Sequence, residues 1–230
     1  MKKIILLIAL FLGSTPFVLA QNQVPQITVN AEGKIKVVPD QVFISVSVET
    51  SGIKASDVKK ENDKSIDKVL TFIKKMDLPN SDYSTQQVSL NQRFDYSEGT
   101  KKEYEASQTI NILLKDLSKY EDLMEGIVEV GVNRIDNVEF KSSKIAGYLI
   151  EARKLAIKNA KQKATDYISE LPGQKVGKVI SINEIESSFY PVAVASYKAD
   201  AVAAMDMPKE TLAIGELEVQ CNVTVSFLLE

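Results

Sequence analysis

One thiol, Cys221, stands in a chain of 230 residues that contains no histidine. Those two facts set most of the chemistry available to it. Without histidine there is no Ser-His-Asp triad, no Cys-His dyad and no imidazole-ligated metal. A single cysteine excludes an intrachain disulfide and any thiolate-rich zinc or iron–sulfur centre. Cys221 alternates with Val219, Val223, Val225 and Phe227, so on a strand it faces the same side as that apolar row. A thiol in such surroundings keeps its proton and is inert.

Carboxylates are plentiful but scattered. Glu32, Asp40 and Glu49 fall near strand ends, and Asp63, Asp67, Glu121, Asp122 and Glu125 fall on or beside polar helix faces. Acid–base chemistry by paired carboxylates needs two of them held within several ångströms, which this spacing does not impose. Gly173-Gln174-Lys175-Val176-Gly177-Lys178 superficially resembles a phosphate loop. It follows a helical pattern and precedes a strand, the reverse of the required order, and lacks the terminal Gly-Lys-Ser/Thr, so it reads as a turn. No serine sits in a Gly-x-Ser-x-Gly elbow. Tyr148, Tyr167, Phe189 and Tyr190 read as core or interface aromatics. The sequence names no catalytic, cofactor-binding or metal-ligating residue, and calls for no cofactor.

The elements that would position any site are easier to read. Ile27–Ala31 and Val42–Val48 alternate apolar and polar residues, the pattern of half-buried strands. Pro39-Asp40 between them suits a turn, so a hairpin or close strand pair is expected. Ala55, Val58, Asn62, Ile66, Val69, Ile73 and Met76 recur at helical spacing and stop before Pro79. Residues 85–94 and 104–114 read as a long hairpin turning at Ser97-Glu98-Gly99. Ser118 with Glu121 has the form of a capping box for a helix that ends at Gly131. A strand over 134–140 follows. The strongest helix then carries the stripe Ile145, Leu149, Ala152, Ala156, Ala160, Ala164, Tyr167 and Leu171, ending at Pro172-Gly173. Residues 176–185 and 217–228 read as the last two strands. The fold class is α+β: mainly antiparallel sheet with helices packed on one face. Two β-α-β-β-like units, about 27–115 and 134–228, are joined by the 118–131 helix.

The stretch 187–212 is different. It is alanine-rich, holds Pro191 and Pro208, has no convincing period, and carries only Lys198, Asp200, Asp206, Lys209 and Glu210 as charges. A connection of 26 residues without structure of its own is uncommon inside a compact domain, and an exposed apolar one points to contact with a partner.

At the other end, Lys2 and Lys3 precede the apolar run Ile4–Leu12, the breaker Gly13-Ser14-Thr15-Pro16, and Val18-Leu19-Ala20. This is the layout of a secretory signal peptide over residues 1–20, cleaved near Ala20. The 17 positions from 4 to 20 fall short of the roughly 20 apolar residues of a spanning helix, so no stable membrane insertion is expected after cleavage. Removing Lys2 and Lys3 from 28 basic residues leaves 26 against 31 acidic ones, a net charge of −5. With no basic block, nucleic acid is not an expected partner.

Several segments together resemble the SIMPL-domain family of bacterial proteins. They are "ITVNAEG" at 27–33, "VVPDQVFISVSVET" at 37–50, "YSTQQVSL" at 83–90, "LLKDLSKYEDLM" at 113–124, "GVNRIDNVEF" at 131–140, "EARKLAIKNAKQKA" at 151–164 and "VGKVISINE" at 176–184, with Gly215 before the final strand. They follow one another in the family's order over nearly all of residues 21–230. Asn30 stands where members often carry glycine. The resemblance implies a periplasmic or otherwise exported, non-enzymatic protein. It implies assembly into a large homo-oligomer and an indirect part in oxidative or envelope stress defence. The partner expected is therefore the chain itself, with the 187–212 loop as candidate interface. A periplasmic ligand- or partner-binding module and, less favoured, a hydrolase using Asp or Glu are the alternatives.

Overall fold

The computed structural model describes residues 24–95, 101–185, 192–194 and 214–230. The signal-peptide segment, its cleavage point near Ala20, the turn at Ser97-Glu98-Gly99 and most of the 187–212 stretch lie outside them. In chain order the elements are β1 (Gln26–Val37), β2 (Gln41–Gly52), α1 (Ala55–Lys75), β3 (Tyr83–Asp95), β4 (Lys101–Leu114), α2 (Tyr120–Glu129), β5 (Arg134–Lys141), α3 (Ile145–Ser169), β6 (Val176–Ile185), β7 (Val192–Val194) and β8 (Glu216–Leu229).

Two antiparallel sheets result, each with helices on one face, as an α+β fold requires. The first has the order β3-β4-β2-β5. Val42, Ile44, Val46 and Val48 of β2 and Ile110, Ile112 and Leu114 of β4 point to one side, where Ile66, Val69 and Ile73 of α1 and Leu123 and Ile127 of α2 cover them. The second has the order β1-β8-β6, with β7 also on β8. Its apolar side is Val29 and Val37 of β1 and the β8 row Leu217, Val219, Cys221, Val223, Val225 and Phe227. Ala152, Ala156, Ala160 and Ala164 of α3 lie flat against that side. Small side chains let the helix axis come close, and Gly33 of β1 completes the fit where it meets the Ala152–Ala156 turn. Phe140 packs against both cores.

The pairing corrects several expectations. β1 forms no hairpin with β2; it runs antiparallel to β8, Gln26 opposite Leu228 through Val37 opposite Leu217. Alternation specifies that a strand has one buried face, not which strand lies beside it. The sheets therefore do not divide the chain into units of about 27–115 and 134–228. Residues 41–141 make one sheet with α1 and α2, set between β1 and the α3–β8 region that together make the other. β5 belongs to the first sheet through its pairing with β2. Within the 187–212 stretch, Val192–Val194 pairs with Glu216–Glu218 of β8, a strand of three residues too short to show a period.

Two local expectations also change. Ser118 does not cap α2: its amide and hydroxyl both donate to Asp116, which caps the 3-10 turn Leu117–Lys119 ahead of the helix. The end of the α3 stripe runs from Ala164 to Ile168, one further turn on, and leaves Tyr167 and Leu171 exposed. Gly131 and Gly173 both take positive φ; Gly131 does so just past the C-cap of α2, and Gly173 in the turn after Pro172, beyond the end of α3 at Ser169.

The chain crosses between the sheets twice, at 38–40 and at 142–144, and Asp40 ties the crossings together. Its amide donates to the Lys141 carbonyl at 3.1 Å, and its carboxylate accepts from the Ser143 amide and hydroxyl at 2.7 and 2.6 Å. The turn residue read from the sequence is thus also a clamp on the entry to α3.

Candidate functional site

Cys221 lies where strand parity placed it, buried in the β8 row against α3. The fold adds two neighbours that no spacing in the sequence reveals. Arg153 of α3 binds Glu184 of β6 through two parallel bonds of 2.6 and 2.9 Å, and this pair sits beside the thiol. Burial pushes the Cys221 thiol up, the negative Glu184 and its hydrogen bond push it further, and Arg153 opposes them. The thiol form is favoured, which is the opposite of what a nucleophile or peroxide-reactive site needs.

The carboxylates are engaged separately. Glu32 meets Lys34 and Gln220, Asp40 the Ser143 clamp, and Asp63 the Lys59 ammonium at 2.6 Å. Glu49 pairs with Arg134, which also holds Asp136 at 2.6 Å. Asp136 in turn accepts from the buried Ser47 hydroxyl, which also bonds Thr109. This cluster occupies the helix-free face of the first sheet.

Asp40, Asp116 and Glu184 titrate below the ordinary carboxylate range, chiefly because of side-chain hydrogen bonds from Ser143, Ser118 and Arg153 respectively. The folded state holds these protons less tightly than the unfolded chain. Their stabilisation is therefore present above the ordinary carboxylate range and is lost as pH falls through the lowered values. Urea midpoints are expected to stay level from about pH 7 to 5 and to fall below about pH 4. Asp40→Asn should soften that acid limb, and an identical profile in the variant would remove the clamp from the explanation.

Among the clefts lined by described residues, two face solvent beside charged side chains. One of about 530 Å3 is lined by Asn30, Glu32, Asn159, Lys163, Ile185 and Asn222 among others, and one of about 330 Å3 by Phe43, Asp82, Tyr83, Asn111 and Lys141 among others. In the first, Lys163 and Asn159 donate to the carbonyls of Asn30 and Glu32 at 3.0 and 2.8 Å. These two side chains thereby satisfy two backbone carbonyls of β1. Asn30 itself accepts from Thr224 at 2.8 Å, so its side chain joins the polar ladder of the helix-free face.

Among the described residues, β6 carries more exposed large apolar side chains than any other element. Val179, Ile180, Ile182 and Ile185 are 47%, 48%, 51% and 56% exposed. The reason is geometric: α3 lies over β1 and β8 and reaches β6 mainly through the Arg153–Glu184 pair. Register shifts between Val176, Val179 and Ser181 leave apolar side chains on both faces of the strand. The outer edge of β6 has no strand partner among the described residues. β6 leads directly into the 187–212 stretch, whose apolar composition first marked this region. The sequence placed the strand correctly, but could not show that α3 leaves it bare. Among the described residues no helix is long and apolar enough to cross a membrane.

Comparison with known proteins gives one family over most of the chain. The family described as "SIMPL: Protein of unknown function (DUF541)" matches residues 27–227. The uncharacterized protein YggE of Escherichia coli (strain K12) is 26% identical over 236 residues, covering 100% of this chain and 95% of the relative. The 26 kDa periplasmic immunogenic protein of Brucella melitensis biotype 1 is 24% identical over 216 residues, covering 91% and 86%. YggE of Edwardsiella ictaluri is 26% identical over 170 residues, covering 73% and 71%.

Proposed function

The chain belongs to the SIMPL family, and from that premise we propose that it is an exported, non-enzymatic protein of the cell envelope that assembles with copies of itself. The observation that carries this reading is the bare apolar strand β6, with four large side chains about half exposed along an unpaired edge. Apolar patches left in this state mark contact surfaces. Export is supported by the signal-peptide layout of residues 1–20 and by a relative named as periplasmic. The non-enzymatic reading is supported by the absence of histidine from the sequence and by a single thiol that burial holds protonated. A part in oxidative or envelope stress defence is then indirect, exerted through the assembly. Cys221→Ser should leave any protection intact, and a folded variant that lost it would reverse this view.

The decisive measurement is the solution mass of residues 21–230, with imaging of any large species. A discrete oligomer that falls to a smaller unit in Ile180→Lys/Ile182→Lys supports the reading. A monomer at about 100 μM rules self-assembly out. The cleft lined by Asn30, Glu32, Asn159, Lys163 and Asn222 favours the second reading, a ligand- or partner-binding module, which a monomer would bring forward.

A further inference from the structure

A sheet edge is a row of unpaired amides and carbonyls, and folded proteins blunt such rows with charge, bulges or covering side chains. Among the described residues, the long outer edge strands β1, β5 and β6 are treated in this way. Asn159 and Lys163 cap the Glu32 and Asn30 carbonyls of β1. β5 carries Arg134, Asp136, Glu139 and Lys141 among its eight residues. β6 shifts register twice. β3 is the exception: from Ser84 to Gln92 it has no charge, proline or glycine, and its pairing with β4 is regular from Gln87 onward. No strand lies along its outer edge among the described residues.

The single irregularity in β3 has a consequence for this edge. The register shift between Thr85 and Gln87 moves Val88 and Leu90 to the helix side, opposite Gln108 and Ala106 of β4. Without it they would point to the polar side. α1 packs on β2 and β4 and does not extend over β3, so Val88 is 62% and Leu90 43% exposed.

We propose that β3 is the strand to which a second copy of this chain adds, antiparallel, about a two-fold axis through Ser89. The inference rests on the self-assembly reading and names one of its contacts. In that register Ser89 faces its own counterpart, Val88 faces Leu90 of the other copy and Leu90 faces Val88, while Gln87 and Asn91 face each other. Apolar meets apolar and amide meets amide, and no like charges are opposed. The facing stretch runs from Gln87 to Asn91 and stops short of the register shift at Thr85; Arg93, already held by Glu105 of β4, lies beyond it. The two four-stranded sheets become one continuous sheet of eight, and the four exposed apolar side chains of the pair cover one another. A two-fold contact closes on itself and yields only a pair. A larger assembly needs a second, different contact, and the bare surface of β6 is on the other sheet.

The test uses the exported chain with one cysteine introduced at a time and mild oxidation, read on a non-reducing gel. Across the axis the two residues at position 89 have Cβ atoms about 4.5–5.5 Å apart, so Ser89→Cys should convert almost wholly to a covalent dimer. Gln92→Cys, about 20 Å from its symmetry mate in this register, should give none, and buried Cys221 leaves the unmodified protein without cross-links. Val88→Lys/Leu90→Lys, at exposed positions, should at least halve the solution mass while leaving the circular dichroism spectrum unchanged. An oligomeric protein whose Ser89→Cys variant fails to cross-link, or whose Gln92→Cys variant cross-links equally well, overturns the β3 contact and leaves self-assembly standing. A monomeric unmodified protein overturns both.

Discussion

Gly33→Ala is expected to destabilise the protein by about 3 kcal/mol or more. A methyl group there would stand 2.0 Å from the Ala152 carbonyl oxygen and 2.6 Å from the Ala156 amide nitrogen. Both are backbone atoms in the middle of α3 and cannot turn aside. The helix must lift off β1, opening the contact of Ala152, Ala156, Ala160 and Ala164 with the sheet, or the strand must bend away from β8. Gly126 offers the comparison. Its added methyl would meet the Phe72 ring, also at 2.0 Å, but a side chain between α1 and α2 can rotate, so Gly126→Ala should cost less. Thermal melting checks both, with a fall of about 10 °C expected for Gly33→Ala at this chain length. An unchanged melting point for that variant would mean that α3 does not cross β1 this closely.

Asn62→Ala should cost about 2–4 kcal/mol. Asn62 is a polar residue in the middle of the apolar stripe of α1 and is fully enclosed. Its side-chain amide donates to the Val48 carbonyl at 2.9 Å and reaches the Thr50 hydroxyl at 3.2 Å and the Ala106 carbonyl at 3.4 Å. One amide thus serves β2 and β4 where α1 crosses them. Its removal strips buried acceptors of their donor and leaves a small cavity, and both effects are unfavourable. Asn62→Leu separates the two contributions, since it restores volume without a donor. If Asn62→Leu matches the parent protein in urea unfolding, the hydrogen bonds contribute nothing net. If it is as weak as Asn62→Ala, they are the main part.

What the sequence reveals and what it hides divide along physical lines. Strand parity put Cys221 in the core, and helical spacing put Asn62, Ile66, Val69 and Ile73 on one face. Both are properties of a single element in contact with an apolar neighbour. The partner of β1 was hidden because alternation is the same whichever strand lies alongside. The end of the α3 stripe is ambiguous in the sequence because Tyr167 and Ile168 both fit a helical step from Ala164, and only the sheet beneath decides between them. Ser118 and Glu121 have the form of a capping box, but Asp116, two residues earlier, reaches Ser118 first. The Arg153–Glu184 pair beside Cys221 joins residues 31 positions apart on different elements. The exposure of β6 depends on where α3 comes to rest, and nothing local to β6 encodes it.

The pairing of β1 with β8 also orders events in time. Thr28 and Ser226, bonded at 2.8 Å, are 198 positions apart, so the second sheet cannot close until almost the entire chain has emerged. The first sheet needs nothing beyond Lys141. Closing a longer loop costs more chain entropy, and distant pairings form late. Residues 41–141 should therefore acquire protected amides first, with β1 left as an unpaired apolar strand until β8 arrives. A chain that stops before Glu216 has no β8 and retains that open strand, together with an alanine helix that has no floor beneath it. Such a fragment should aggregate, or be degraded, while its first sheet is still folded.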